Sequence, residues 1–585
     1  MRRDFCNPLN IPYKFQHYNN QASREAADPT LIFFKGKYYM FASMSAGFYY
    51  SDDLIDWKWH ENRNLDMYRY APDVRQIGEH LVFSASDRVP CTFYRTLDPL
   101  SDKFEKVSEP FTFWDPNLFQ DDDCRVYFYW GCDNGKPIYG VEMDPEKLIP
   151  IGDTKELIFG RQTEFGWERP DYPGVPKKNE KVPLPVKIYM LMMRMKGLGP
   201  DKPYIEGAFM NKWNGKYYLQ YAAPGTELAT YGDGVYVGDH PLGPFTPQLH
   251  NPFSTKPGGF ITGAGHGSTI EDKYGNLWHA ATMRISVNAN FERRVGIFPA
   301  GLDEDGILFC NQSFSDYPLD IPEGKFDPLT VKPKWMLLSY KKPCTASSYA
   351  VGHEPDLAAD EDIRTSWCAN GSADEWLQMD LGAEYPVYAI QINFAEVGVP
   401  MLKKDKSELS SVATSNRYID TNPVLKTCYL LEGSLDGTTW FVLADKRDAD
   451  SDLSHDYLRV DGKNVRYLKI TAVQLPYAEA FAVSGLRVFG IGFGKKPCAV
   501  NAFTTEYTAP MTAKIVWTPA DGAIGYNVRY GIAPDKLYSS HMVYGSSEVL
   551  LTTLNKGQTY YACIDSFNEN GITEGTANQI HCDFT

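Results

Sequence analysis

The feature that most constrains the fold is a short text that returns five times in the first half of the chain. From Asp28 it runs DPTLIFFKGKYYMFAS: a polar residue, an apolar strand, a tight turn at Lys35-Gly36 and a second strand rich in tyrosine. It recurs as DVRQIGEHLVFSAS from Asp73, DPNLFQDDDCRVYFYWG from Asp115, EGAFMNKWNGKYYLQYAA from Glu206 and HGSTIEDKYGNLWHAAT from His266. The intervals of 45, 42, 91 and 60 residues suit a repeat of about four strands, the size of a propeller blade. The longest interval also holds PDYPGVPKKNEKVPLP, expected as an inserted loop, and the apolar run KIYMLMMRM behind it.

In each copy the polar residue opens the innermost strand, so five polar side chains are expected to converge at one mouth of the central channel. Asp-Pro and Asn-Gly pairs also punctuate strands for purely structural reasons, and any single copy reads either way. Five in register favour a functional mouth.

Composition narrows the partners. A net charge of −16 gives no basic stripe to neutralise phosphates, which argues against nucleic acid and for a neutral substrate. The 11 cysteines form no CxxC pair, so neither a zinc site nor a disulfide framework is legible. No apolar run has the length of a membrane span, and MRRDFCNPLN lacks the apolar segment of a leader. Export to a periplasmic or extracellular space, with the signal absent from this sequence, is the expectation, with a cytoplasmic location left open.

Glycosidic bond hydrolysis needs one carboxylic acid to protonate the leaving oxygen and one carboxylate to activate water or attack the sugar. Asp28, Asp115 and Glu206 each head a repeat and supply such groups. The segments ADPTLIFFKGKYYMF, YAPDV, WDPNLFQDDDCRVYFYWG, YIEGAFMNKWNGKYYLQYAA and GAGHGSTIEDKYGNLWHA, over about residues 5 to 310, resemble the successive signatures of glycoside hydrolase family 43. The resemblance implies a five-bladed propeller that inverts configuration. It makes Asp28 the general base, Glu206 the general acid and Asp115 a carboxylate that orients and tunes the acid. Glu168, in GWERPDYPG, is the rival for the acid role.

By the same resemblance His266 lies in the channel, holding a water or a metal ion such as calcium, against the alternative of a packing histidine. Arg284 reaches the bound sugar, against the alternative of a surface salt bridge. Trp114, Trp130 and Phe48 are candidates for an apolar platform beneath a sugar ring, or else core. Asp73 either binds sugar or helps to build the channel.

After Cys310 a polar, Pro-punctuated stretch reads as a linker, and the text from Lys341 resembles a discoidin, or coagulation factor type C, sandwich. Its Asp360 and Asp362, in DEDIRTSW, would hold a structural calcium; no cofactor is expected for the chemistry itself. The last segment, with Trp517 and Tyr560-Tyr561, resembles a fibronectin type III sandwich. The expected architecture is therefore all-β, a five-bladed β-propeller followed by two β-sandwich domains, divided at 1–325, 326–494 and 495–585.

The expected function is release of a terminal sugar, of α-L-arabinofuranosidase or β-xylosidase type, from plant-type oligosaccharides or polysaccharides. Galactofuranosidase, galactanase or arabinanase activity, a fructan-active propeller and a non-catalytic carbohydrate-binding protein are the alternatives.

Overall fold

The computed structural model describes residues 4–581, apart from 19–20, 63, 66–69, 88, 171–191, 193–201, 398, 400–418, 421–425 and 477–479. The expected inserted loop and the KIYMLMMRM run fall outside the described residues, apart from Pro170 and Met192. Regular structure among the described residues is strand, with a few short 3-10 turns.

Five sheets follow one another along the chain, four antiparallel and the fifth with one parallel pairing, of Gln21–Glu25 with Arg293–Leu302. Blade I is built from Ala27–Phe34, Lys37–Ser43, Gly47–Ser51 and Lys58–Glu61, and blade II from Tyr70–Ile77, His80–Ser86, Tyr94–Thr96 and Glu105–Lys106. Blade III uses Asn117–Gln120, Val126–Trp130, Ile138–Met143 and Lys155–Ile158, and blade IV uses Glu206–Trp213, Lys216–Ala223, Gly232–Gly238 and Phe245–Pro247. Blade V takes Thr262–Glu271, Leu277–Arg284 and Arg293–Leu302, then borrows Gln21–Glu25 and Lys14–Tyr18 from the chain's start. The loan closes the ring, because first and last blade then share one continuous segment. The first strands of the blades neighbour one another in the cycle I to V and back to I.

A belt of side-chain hydrogen bonds joins these inner strands. Ser268 Oγ donates to Pro29 O and accepts from Leu31 N; Thr30 Oγ1 donates to Pro72 O. Asp73 accepts from Asn117 Nδ2 and Leu118 N, and Asn117 Oδ1 accepts from Met210 N. Asn211 Nδ2 donates to Thr269 O and completes the circuit. Each bond contributes about 1 kcal/mol net, but leaving any of these buried groups unpaired would cost more.

Asp73 is thus a wall residue, which corrects the expectation that it binds sugar. It is 2% exposed, both carboxylate oxygens are committed to blade III, and burial pushes it up to about 6. The cause is a register error of two residues. Aligning the prolines of Asp28-Pro29, Ala71-Pro72 and Asp115-Pro116 makes Ala71 the head of blade II, and Asp73 falls level with Thr30 and Asn117.

Beyond the propeller, Trp376–Phe394, His455–Gln474, Ala482–Gly490 and Cys428–Ser434 are four strands of an eight-stranded sheet around Trp367, Leu377, Ile390 and Leu486. The last segment is a sandwich: Phe503–Ala509, Thr512–Trp517 and Glu548–Leu551 form one sheet and Ser539–Tyr544, Gly525–Gly531 and Tyr560–Asn568 lead the other. Trp517, Tyr526 and Ile564 fill its core.

Buried polar bonds tie these modules to the propeller. Arg24, fully buried, pairs with Glu396 and Asp452, and Arg294 Nε donates to His455 Nε2 at 2.8 Å. Arg169 donates to Pro510 O, Thr512 Oγ1 and Thr552 O in the terminal sandwich.

Candidate active site

Each inner strand contains, or is closely preceded by, a left-handed residue: Asp28 (φ 50°), Ala71 (44°), Asp115 (51°), Gly207 (62°) and His266 (49°). Pairing with the second strand shifts at this point in blades I, II, IV and V, the signature of a bulge that re-aims a side chain. For a residue with a Cβ the conformation costs about 1–2 kcal/mol. Specific acceptors hold it in place. Asp28 N donates to Thr282 Oγ1 (2.7 Å), Ala71 N to Ser43 Oγ (2.9 Å), Asp115 N to Ser86 Oγ (2.6 Å) and His266 N to Asp233 Oδ1 (2.7 Å).

The bulges bring Asp28, Asp115, Glu206 and His266 together. His266 Nδ1 lies 3.5 Å from Asp28 Oδ1 and 3.8 Å from Asp115 Oδ2, and Gly207 N donates to that same Asp115 oxygen at 3.3 Å. A Cβ on Gly207 would meet the His266 ring at 2.7 Å, so glycine is needed there for space as well as for φ.

Their environments separate the carboxylates. Asp28 is 4% exposed, and burial alone would raise it, but Arg293 and His266 outweigh burial and hold it below the ordinary carboxylate range. Arg293 Nη1 donates to Asp28 Oδ1 at 2.9 Å, and Ser43 Oγ donates to Oδ2 at 2.6 Å. Asp115 goes the other way. Burial, opposed by His266 and reinforced by Glu206 and Asp28, pushes it up to about 7. His266 lies above its ordinary range because Asp28, Asp115 and Glu206 overcome the effect of burial.

Glu206 is half-buried and gripped on both oxygens: Tyr231 OH donates to Oε1 at 2.6 Å and Cys132 Sγ to Oε2 at 3.1 Å. Its rival Glu168 is elsewhere, fully buried, accepting from Tyr221 OH and Arg161 N beside Trp167.

The remaining expectations fare unevenly. Arg284, half-exposed, stands two residues beyond Thr282 and donates to Glu227 O at 2.9 Å, so it belongs to the rim of the mouth. Phe48 is corrected: it is 0% exposed and stacks on Phe41 in the core between blades I and II, with no ring face for a sugar. Trp130 is corrected likewise, its ring stacked on Phe128 and Tyr139 against that same core.

The loop expected to hold calcium, at Asp360 and Asp362, is closed by its own hydrogen bonds. Asp360 accepts from Asp362 N and Thr365 Oγ1, Asp362 accepts from Arg364 N, and no third acidic ligand joins them among the described residues. These are the bonds of a self-capped turn.

Arg293, Glu25, Tyr231 and Cys132 were absent from the sequence reading. Arg293 sits in the adjacent pair Arg293-Arg294 on the third strand of blade V, and the repeat does not extend that far. The hydroxyl residues at or near the ends of three second strands, Ser43, Ser86 and Thr282, are a repeated signal that would have placed the heads correctly.

A propeller whose mouth gathers three carboxylates and an imidazole defines a carboxylate-based site of general acid and base type. Residues 19–308 match the family "Glycosyl hydrolases family 43" and residues 343–399 match the "F5/8 type C domain". The chain therefore carries a glycosyl hydrolase family 43 domain and, behind it, an F5/8 type C domain. It is similar to a "Beta-xylosidase" of Xylanibacter ruminicola, 29% identical over 171 residues, which are 29% of this chain and 48% of that protein. A "Xylosidase/arabinosidase" of Bacteroides ovatus is 26% identical over 145 residues, 23% of this chain and 39% of that protein. The chain thus spans half or less of the length of these curated relatives. A solved structure titled "Bacteroides ovatus Xyloglucan PUL GH43B" covers 98% of both chains at 14% identity and a TM-score of 0.41. Among the described residues no helix is long and apolar enough to cross a membrane.

Proposed function

We propose that this chain is an inverting glycoside hydrolase that removes a terminal pentosyl unit, β-xylosyl or α-L-arabinofuranosyl, from a plant-type glycan. The observation that carries the reading is the split within one mouth: Asp28 is held ionised by Arg293 while Asp115, beside Glu206, is pushed up to about 7. Opposed environments for neighbouring carboxyls are how one site runs acid and base chemistry at one pH. The pentosyl choice follows the names of the two relatives.

Asp28 is the base that takes a proton from the attacking water. Glu206 is the acid, held on Oε1 by Tyr231 OH and on Oε2 by Cys132 Sγ. Asp115 shares the acid's proton and sets the pH at which it is lost. His266 bridges base and tuning carboxylate, its Nδ1 3.5 Å from Asp28 Oδ1 and 3.8 Å from Asp115 Oδ2. We assign residues 1–325 to the catalytic propeller, 326–494 to the discoidin-like module and 495–585 to a sandwich of fibronectin type III kind.

A panel of nitrophenyl xyloside, arabinofuranoside and galactofuranoside tests the reading, followed by proton NMR of the first-formed anomer. Retention of configuration would rule out the inverting mechanism, and no turnover on the panel, on arabinan or on xylo-oligosaccharides would rule out the substrate class. Asp28→Asn and Glu206→Gln should each lower turnover by about 10²–10⁴-fold. For Glu206→Gln the loss should shrink on substrates with good leaving groups.

A further inference from the structure

One group that touches the acid in this mouth neither gives nor takes a proton in the proposed hydrolysis. Cys132 follows the second strand of blade III and is half-buried, and its sulfur lies 3.1 Å from Glu206 Oε2. Asp115, Cys132 and Glu206 each offer a ligand atom, all within 4.8 Å of one another. Asp115 is 5% exposed, receives one N–H, that of Gly207 on Oδ2, and among the described residues no donor reaches its Oδ1.

We propose that Asp115, Cys132 and Glu206 form a binding site for a thiophilic divalent cation of the zinc class, which blocks the acid when it binds. Zinc takes thiolate at about 2.3 Å and carboxylate at about 2.0–2.2 Å, so ligand atoms around it stand about 3.3–3.7 Å apart. The observed cluster needs only small side-chain rotations to reach that spacing. Binding forms an S–Zn bond and two O–Zn bonds and releases to buffer the thiol proton and, up to neutral pH, the proton held between Asp115 and Glu206; no electron moves.

The charge field favours a cation over other thiol chemistry. Burial, with Asp115 and Glu206 adding, pushes the Cys132 thiol well above its ordinary range, which suppresses the thiolate that an alkylating reagent or oxidant would attack. The same negative charges attract a cation, whose own charge then stabilises the thiolate. Calcium and magnesium gain nothing from sulfur, so the thiol selects the softer ion. The inhibitory consequence rests on the reading of Glu206 as the acid; binding does not.

Cobalt(II) tests binding without substrate, because a cobalt–thiolate bond adds a charge-transfer absorption in the near ultraviolet. The full chain titrated with Co²⁺ should show that band, zinc should displace it, and Cys132→Ser should abolish it while Cys124→Ser, an exposed thiol, keeps it. Zinc should also inhibit turnover reversibly, with EDTA restoring the rate. Cys132→Ser should raise the half-inhibiting concentration by at least about tenfold relative to its own metal-free rate. Asp115→Asn is a second variant, which should weaken the cobalt band without touching the sulfur. No band in the unaltered chain, a band that survives Cys132→Ser, or equal inhibition by calcium and magnesium would each overturn the site. A cobalt band without zinc inhibition would overturn the blocking role and leave the cation site standing.

Discussion

Arg293 donates to Asp28 Oδ1 at 2.9 Å and grips Glu25 with the rest of its guanidinium, so the carboxylate heading blade I stays charged where it is 4% exposed. Glu25 lies on Gln21–Glu25, the strand that the chain's start lends to blade V. Ring closure and ionisation of the base therefore depend on one strand. Its other face carries Arg24, which is held by Glu396 and Asp452.

Arg293→Gln removes the cation that keeps Asp28 ionised. A nearby positive charge lowers a carboxyl, so its loss raises Asp28, and a base that must be ionised then works only at higher pH. The acid limb of the pH–rate profile should move up by about one unit or more, with turnover reduced at neutral pH. An unmoved acid limb would separate Arg293 from the base.

Glu168→Gln should keep its rate within about twofold, since the side chain is sealed among Tyr221, Arg161 and Trp167. Its stability should change with pH instead. Burial raises Glu168 to about 7, so the folded state holds a proton that the unfolded chain gives up near 4.3. The stability from that proton is complete below the unfolded value and lost as pH rises through 7. Thermal melts should show the glutamine variant losing less than the parent between pH 5 and 8, and a lost rate would restore Glu168 as a candidate acid.

The interface with the F5/8 type C domain carries an acid-sensitive contact. His455 accepts from Arg294 through Nε2 and donates through Nδ1 to Asn393 Oδ1 at 2.7 Å, so the folded state needs the neutral ring. Burial, with Arg294 and Arg24 adding, holds it well below its ordinary range. The unfolded chain takes up a proton below about 6.5, and the stability from the neutral ring should fall as pH drops from there. His455→Asn, uncharged at every pH, should flatten that part of the melting-temperature profile. Parallel profiles for the two proteins would remove this contact from the acid response.

What the sequence made legible was whatever lies within one strand and its turn. Asp28, Asp115, Glu206 and His266 lie on or beside the inner strands and meet in the mouth, because a polar residue before an apolar run is local information. The error at Asp73 shows the limit: only the left-handed φ of Ala71 and the bonds of Asp73 to blade III fix the register. Arg293 was hidden because it meets Asp28 across 265 residues. Nothing local in the terminal segment announces that Arg169 and Gly166 bond into its sandwich. Deleting residues 495–585 would bare those buried groups, and the shortened protein should melt well below the full chain.

Asp115 decides where the acid side of the reaction ends. It and Glu206 stand close enough to interact, and burial in the presence of that neighbour lifts Asp115 to about 7, so the pair retains a proton up to neutral pH. Replacing Asp115 by Asn leaves one carboxyl where two repelled each other. The group that burial and its neighbours lift to about 7 is then gone, and with it the ionisation that sets the upper limb. A pH profile of turnover on one glycoside should therefore show the upper limb displaced to lower pH in Asp115→Asn, with a strongly reduced maximum and sugar binding retained. Azide should not restore the rate, since Asp115 neither attacks nor delivers a proton. An upper limb that stays in place would assign the limiting ionisation to another group, and rescue by azide would make Asp115 a nucleophile.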